Sequence, residues 1–239
     1  ILEVMADAAE LTKRDVVLEI GPGLGSLTEI LAERAKKVIA VEKDRDLIPI
    51  LRTKFADKQN VEIIEGDILT INPPLGGLAA KSYKIVANIP YYITSHFLRL
   101  FLSENNPPVG GRPKLMVLMI QKEVAERIVA KDGKESLLSL SVKAYGKPEF
   151  IRKVPRGAFS PPPNVDSAII KISDISGNFF TKNKIAEKKF FEILRAAFQK
   201  KRKMLRQSVG KKINLPKEFE TKRPEELTLK EWLIICRNK

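Results

Sequence analysis

Two short β-branched runs near the start of the chain, "DVVLEI" (residues 15–20) and "KVIAV" (37–41), enclose "GSLTEILAERAK", in which Leu27, Ile30 and Leu31 recur at helical spacing. That pattern predicts a strand–helix–strand unit. Further runs at "VEIIEGD" (61–67), "YKIVANI" (83–89) and "KLMVLMI" (114–120) predict three more strands, with helix-like segments at 44–56, 93–103 and 122–130. Strands alternating with helices in this way predict a mostly parallel α/β sheet covered on both faces. The later runs "EFIRKV" (149–154) and "DSAIIKI" (166–172) have no helix between them. They predict an antiparallel, hairpin-type ending to the sheet, with the Pro-rich "FSPPPN" in the connection.

Beyond the sheet, the polar stretch "SDISGNFFTKNK" (173–184) reads as a linker. After it, "KKFFEILRAAFQKKRKMLRQSVGKK" sets Phe190, Phe191, Leu194, Ala197 and Phe198 on one face of a helix whose second half is crowded with basic residues. "RPEELTLKEWLIICR" (223–237) offers Thr228 as the cap of a final amphipathic helix, with Trp232 and Cys236 in its core. The expected domains are therefore 1–175, bearing the sheet, and 184–239, small and helical. No internal repeat or low-complexity segment interrupts them.

The 239 residues are 44% hydrophobic, enough for one good-sized core or a main domain with a small one. No apolar run reaches the roughly 20 residues of a membrane helix. A single cysteine, Cys236, rules out an intramolecular disulfide and argues against a Cys-based metal site. The single histidine, His96, argues against His-rich metal clusters and a Ser-His-Asp triad. Net charge is +14, and its placement matters more than its size. Residues 182–239 hold 18 Lys and Arg against 7 Asp and Glu, a net of +11. That segregation points to a polyanion, nucleic acid before an anionic membrane, rather than to a merely solubilising surface. The basic candidates are Lys200, Lys201, Arg202, Lys203, Arg206, Lys211 and Lys212, which a solvated helix face would equally display.

Candidate chemistry gathers at predicted strand ends. "EIGPGLGSLTE" (19–29) follows the first strand and opens a helix, so Gly21, Gly23 and Gly25 would let a ligand approach the free N–H groups of the helix N-terminus. The pattern departs from the dinucleotide fingerprint, because Ser26 stands at its last glycine. Glu42, ending the second strand 21 positions after Gly21, can accept from ribose hydroxyls. Asp67 in "EGDIL" ends the third strand and can accept from an exocyclic adenine amine, or simply cap a turn. These residues fit an adenosine-containing cofactor of either the nicotinamide or the sulfonium class.

"NIPYYITSHF" (88–97) ends the fourth strand on the same edge. The Asn88 amide oxygen can accept from an amino group, and Pro90 fixes a bend that can turn the Ile89 carbonyl inward. The Tyr91 ring can stack on a planar base. Two acceptors aimed at one NH2 suit an exocyclic amine, which is a poor nucleophile until its nitrogen becomes tetrahedral. An Asn-Pro turn with core tyrosines is the plainer reading of the stretch taken alone; Tyr92 is assigned to packing.

In order along the chain, "EIGPGLG", "VEKD", "GDIL", "NIPYYI", "VLMIQKEVAERIVA", "FSPPPNVDSAIIKI", "RAAFQKKRKMLRQS" and "RPEELTLKEW" resemble the rRNA adenine N6,N6-dimethyltransferase family, most closely its small-subunit members. The resemblance implies a Rossmann-like sheet with a helical C-terminal domain that binds RNA. It also implies S-adenosyl-L-methionine as cofactor, and N6-dimethylation of two adjacent adenosines near the 3′ end of small-subunit rRNA. Carried over, the cofactor would meet Glu19, Gly21, Gly23, Gly25, Glu42, Lys43, Asp67, Ile68 and Asn88. The target base would meet Asn88, the Ile89 carbonyl, Pro90 and Tyr91, with Phe159 as a second aromatic wall. A stacked adenine cannot bring N6 into such a pocket, so the base must flip. No metal is implied.

A monomer acting on immature small ribosomal subunits is expected. The chain opens on Ile1, after the Gln-Asn-Phe-Leu segment usual in the family, so a trimmed chain is expected, and an organellar location stays open beside the cytoplasm. Three rivals remain. One is a large-subunit dimethyltransferase of the macrolide-resistance type, another a non-catalytic RNA-binding assembly or transcription factor on this fold, and the last a dehydrogenase.

Overall fold

The computed structural model describes residues 1–70, 82–103, 111–130, 133–210 and 213–238. By internal packing the chain divides into two compact units, residues 1–125 with 149–175 and residues 126–148 with 176–239. The segment 126–148, sequence-adjacent to the sheet on both sides, therefore packs with the second unit.

The first unit holds a seven-stranded sheet. Its strands are β1 (Val16–Ile20), β2 (Lys37–Glu42), β3 (Val61–Glu65), β4 (Tyr83–Asn88), β5 (Leu115–Gln121), β6 (Lys147–Val154) and β7 (Ser167–Ser173). Their order across the sheet is β3-β2-β1-β4-β5-β7-β6. The pairs β1–β2, β1–β4, β2–β3 and β4–β5 are parallel, and β7 runs antiparallel to β5. The hydrophobic pattern explains the layering: β1 and residues 116–120 of β5 are buried on both faces, as strands covered by helices must be. The edge strand β6 alternates exposed and half-buried positions. Helices α1 (Leu2–Ala8), α2 (Ser26–Arg34), α3 (Leu47–Lys54), α4 (Thr94–Leu102) and α5 (Lys122–Ile128) follow in chain order, the last leading into the second unit. One core cluster joins α1 and α2 (Met5, Leu27, Leu31) to β1, β4 and β5 (Val17, Val86, Val117, Met119).

At the amino edge of this sheet a lysine is buried inside the protein. Lys84 donates its ammonium to the Ala9 carbonyl (2.9 Å), the Glu10 carbonyl (2.6 Å) and Asp15 Oδ2 (3.1 Å), tying the end of α1 to β1 and β4. Asp15 also takes Lys114 at 3.0 Å and the Thr12 N–H at 2.8 Å. Burial works to raise the Asp15 pKa, but the hydrogen bonds from Lys114, Thr12 and Lys84 outweigh it and hold the carboxyl at about 2.

The second unit is helical, with α6 (Leu137–Lys143), α7 (Asn178–Asn183), α8 (Glu187–Phe198), α9 (Leu205–Ser208) and α10 (Leu229–Arg237). Phe180 and Phe190 meet edge-on at 5.6 Å, and Phe190 meets Phe191 at 5.3 Å. Trp232, Ile235 and Cys236 are buried. Thr228 caps α10 as expected, its hydroxyl accepting from the Glu231 N–H at 3.3 Å. Two expectations fail here. The 173–184 stretch is not a plain linker: it contains α7, because Phe180 is drawn into the aromatic core. Nor do Lys200–Lys203 continue a helix, since α8 stops at Phe198 and the Lys203 N–H donates to the Lys200 carbonyl in a tight turn. Four adjacent cations repel on a helix, and burying Leu205 requires the chain to change direction.

Lys84→Met is expected to lower unfolding free energy by about 2–4 kcal/mol, because it removes the donor of two carbonyls and the buried partner of Asp15, which keeps only Lys114 and Thr12. Urea denaturation measures this, and a loss under about 1 kcal/mol would refute the anchoring role. The Asp15 contribution is fully present above its ordinary pKa of 3.8 and is lost as the pH falls through about 2.

Candidate active site

The strand order reverses direction between β1 and β4, and in an open parallel sheet that switch point is where a ligand crevice forms. Every chemically marked strand end lies around it. The Gly21 N–H still donates to Val41 in β2 at 2.9 Å, after which the chain turns away over "GPGLG". Gly23 has φ +59, and a Cβ there would meet nothing within 4 Å, so its face is open to a ligand. At Gly25 (φ +80) a Cβ would lie 2.6 Å from the Phe55 ring, so this glycine lets α2 start against α3. No side chain caps the start of α2, which leaves its first N–H groups at the crevice.

Glu42, buried at the end of β2, is gripped by backbone donors: Gly23 N–H at 3.1 Å, Lys43 N–H at 2.8 Å and Asp44 N–H at 2.9 Å. A carboxylate offers about four lone-pair sites, so one remains for a ligand hydroxyl before an existing bond must open. Asp67 accepts from the Leu69 N–H at 3.0 Å and from Lys43 Nζ at 2.9 Å. Those two bonds, together with the Lys43 and His96 charges, hold its carboxyl below the usual range. Lys43 is pulled upward by the hydrogen bond and charge of Asp67, with the Tyr92 hydroxyl adding to the effect. Ile68 is buried beside them.

Asn88 is exposed at the end of β4, and its carbonyl lies 4.0 Å from where a Gly21 Cβ would stand. The clamp stretch thus adjoins the glycine turn. Ile89 is buried and its N–H donates to Met119 at 3.1 Å, while the exposed Pro90 turns the chain into a 3-10 segment, Tyr91–Ile93. The half-buried Tyr91 is fixed through its hydroxyl to Ser167 Oγ at 2.7 Å. Tyr92, expected to pack, is instead 83% exposed, because the 3-10 turn directs the two rings differently. Phe159 lies in the β6–β7 connection, half-buried against the core cluster. His96 is exposed on α4.

Glu19 is the anomaly of the site. Its side chain is buried on β1, its Oε2 has no hydrogen-bond partner, and neither has the nearby Thr28 hydroxyl on α2. Burial pushes the Glu19 carboxyl up to about 8; the Thr28 hydroxyl pulls weakly the other way and the Glu42 charge adds to the rise. An orphaned acidic oxygen beneath an open glycine turn suits a cationic ligand group, so the residues present fit a cofactor with an ammonium and an adenosine end. Glu19 belongs to the glycine motif, whereas Ser167 and Thr28 carry no sequence signal beyond being polar residues in apolar elements. Among the described residues no His, Cys, Asp and Glu group could hold a metal ion.

In the second unit Lys200, Lys201, Arg202 and Lys203 line a cavity of about 850 Å³ together with Phe198, Gln199 and Gln207. Those four cations and Arg206 are exposed. Lys211 and Lys212 lie outside the described residues.

A parallel sheet in this order, with a glycine turn at its switch point and a carboxylate ending β2, defines a Rossmann-like methyltransferase. The structure is similar to a dimethyladenosine transferase from Plasmodium falciparum, with a TM-score of 0.82 and 29% identity over 98% of this chain and 93% of that one. It is also similar to the 23S rRNA methyltransferase ErmE, with a TM-score of 0.78 and 26% identity over 99% and 95%. In sequence it is 42% identical over 240 residues to the ribosomal RNA small subunit methyltransferase A of Dehalococcoides mccartyi, covering 96% of this chain and 80% of that protein. Residues 1–230 match the family model described as ribosomal RNA adenine dimethylase, and the chain belongs to that family.

Glu19→Gln is expected to gain stability over the native chain progressively from pH 4.5 to about 8, and to hold a constant advantage above that. The folded carboxyl keeps its proton through that window while the unfolded one releases it, so native stability falls as pH rises. Paired melting curves across that range measure it, and a pH-independent difference would contradict the assignment.

Proposed function

We propose that this chain transfers methyl groups from S-adenosyl-L-methionine to N6 of two adjacent adenosines near the 3′ end of small-subunit ribosomal RNA, on the immature small subunit. The similarity to a named small-subunit methyltransferase at 42% identity carries the choice of target. The fold does not separate the two subunits, since the 23S enzyme shares it.

The cofactor supplies an activated methyl group on its sulfonium. Around it, the Gly21–Gly25 turn would leave room for close backbone approach, Glu19 would meet the ammonium end, Glu42 the ribose, and Asp67 with Ile68 the adenine, with Lys43 giving up its hold on Asp67. Asn88 Oδ1 and the Ile89 carbonyl accept the two N6 hydrogens of the flipped adenosine and so favour a tetrahedral nitrogen. Tyr91, pinned by Ser167, presents a fixed ring to the base, and Phe159 closes the opposite side. The N6 proton leaves to solvent. After the first transfer a single N–H remains, so one acceptor suffices in the second round and the other makes room for the methyl group. Residues 1–175 perform this chemistry, and residues 184–239 hold RNA phosphates through Lys200–Lys203 and Arg206. The enzyme acts as a cytoplasmic monomer, and no described helix is long and apolar enough to cross a membrane.

Labelled-methyl transfer to small-subunit particles lacking the modification, followed by nucleoside analysis, tests this directly. Asn88→Ala is expected to cut transfer by at least about 100-fold with cofactor affinity retained, and Glu42→Ala to weaken cofactor binding first. Preferential methylation of large subunits, or normal turnover by Asn88→Ala, would overturn the reading.

Changing Lys200, Lys201, Arg202 and Lys203 together to Gln is expected to weaken RNA binding and flatten its salt dependence, by about 0.7–0.9 in log–log slope for each phosphate no longer neutralised. Filter binding across a salt series measures the slope, and an unchanged slope would remove these residues from the interface.

A further inference from the structure

Among the described residues Tyr92 is the most exposed of the large hydrophobic side chains, at 83%, yet it stands beside the target clamp. Leu24 (62%) in the glycine turn and Val165 (42%) just before β7 are also exposed at this carboxyl edge of the sheet. One exposed ring is ordinary on a protein surface, but at the mouth of a site it offers a flat face to a ligand that is already bound next to it.

Its geometry excludes the target base itself. Tyr91 and Tyr92 are consecutive in a 3-10 turn, where neighbouring side chains diverge by about 120°. Tyr91 is committed inward by its hydrogen bond to Ser167 on β7. Tyr92 therefore cannot form a second wall against the ring that Tyr91 faces. It faces outward, where the nucleic-acid chain must continue once one base has been flipped into the pocket. Polar groups border it: the Lys43 ammonium, paired with Asp67, lies within electrostatic reach of its hydroxyl, and the His96 side chain, one helical turn further on, is exposed. A ring with a neighbouring cation and a hydrogen-bonding imidazole is the chemistry of a stacking platform for an unpaired nucleotide, the base lying on the ring and the phosphate near the polar groups.

We propose that Tyr92 is a positioning residue for RNA, stacking on the unpaired nucleotide next to the target adenosine and thereby fixing which base enters the clamp. This inference rests on the RNA-methylating reading of the site. Two neighbouring adenosines are modified under that reading, so the platform would hold one while the other is in the pocket.

The test compares native enzyme with Tyr92→Ala, Tyr92→Leu, Tyr92→Phe and Tyr92→Trp on immature small subunits, with cofactor affinity measured separately by calorimetry. Tyr92→Ala and Tyr92→Leu are expected to raise KM for the particles roughly tenfold, with kcat, cofactor affinity and melting temperature nearly unchanged. Tyr92→Phe and Tyr92→Trp should restore KM. Equal performance by Leu and Phe would exclude stacking, and a change confined to cofactor affinity would move Tyr92 to the cofactor site; either outcome overturns the proposal. Failure of the native enzyme to methylate any ribosomal particle would instead sink the functional reading beneath it.

Discussion

Because β1 pairs in parallel with β2 on one side and β4 on the other, the chain must leave all three strands at the same edge. The register fixes the level as well. Ile20 lies opposite Val41, Glu42 opposite Glu65, and Asn88 opposite Met119, so a turn, a carboxylate and an amide emerge within one crevice without any long-range sequence proximity. Shifting β4 by one residue would send the Asn88 side chain to the other face of the sheet. The buried Lys84 anchor at the opposite edge helps hold that register, since its ammonium satisfies groups on both β1 and the end of α1.

The two edges treat buried charge in opposite ways. At the amino edge Asp15 and Lys84 have each other and several further partners, and the Asp15 carboxyl is driven down to about 2. At the carboxyl edge Glu19 is more deeply buried and left with an unpartnered oxygen, and its carboxyl is driven up to about 8. A fold optimised for stability alone would satisfy both. That the unsatisfied group lies beneath the glycine turn and beside Glu42 marks this edge as the place where stability is given up for binding.

Much of this is legible in the primary structure. Strands β1, β2, β4 and β5 appear as dense apolar runs because they are covered on both faces, and the marks that matter, Gly21, Glu42, Asp67 and Asn88, stand at their ends. What is not legible depends on tertiary placement. The Lys200–Lys203 turn reads as a helix by periodicity, and the charge repulsion and the burial of Leu205 that bend it show only in the fold. Residues 178–183 look polar until Phe180 is recruited by Phe190. The Tyr91–Ser167 bond spans 76 residues, and a lone serine opening a strand gives no hint of it. Tyr92 reads as core because aromatic residues usually are, and a single 3-10 turn reverses that.

The occupied acceptors of the site shape how a cofactor can be captured. Glu42 already receives three N–H bonds, and Asp67 receives one N–H and the Lys43 ammonium. Hydrogen bonds from a ribose or an adenine amine would take the few acceptor sites left free or displace Lys43, and each exchanges a water contact for a protein one, so each adds little net free energy. They fix orientation more than affinity. Glu19 differs, since its free oxygen has no partner to lose and its desolvation is already built into the fold. A cationic group arriving there would gain a full partner and draw the proton off the Glu19 carboxyl. Under the proposed reading, the strongest pull on the cofactor would therefore fall at its ammonium end, beside Glu19. On the same reading, polar contacts at Glu42 and Asp67 would align the remainder toward Asn88.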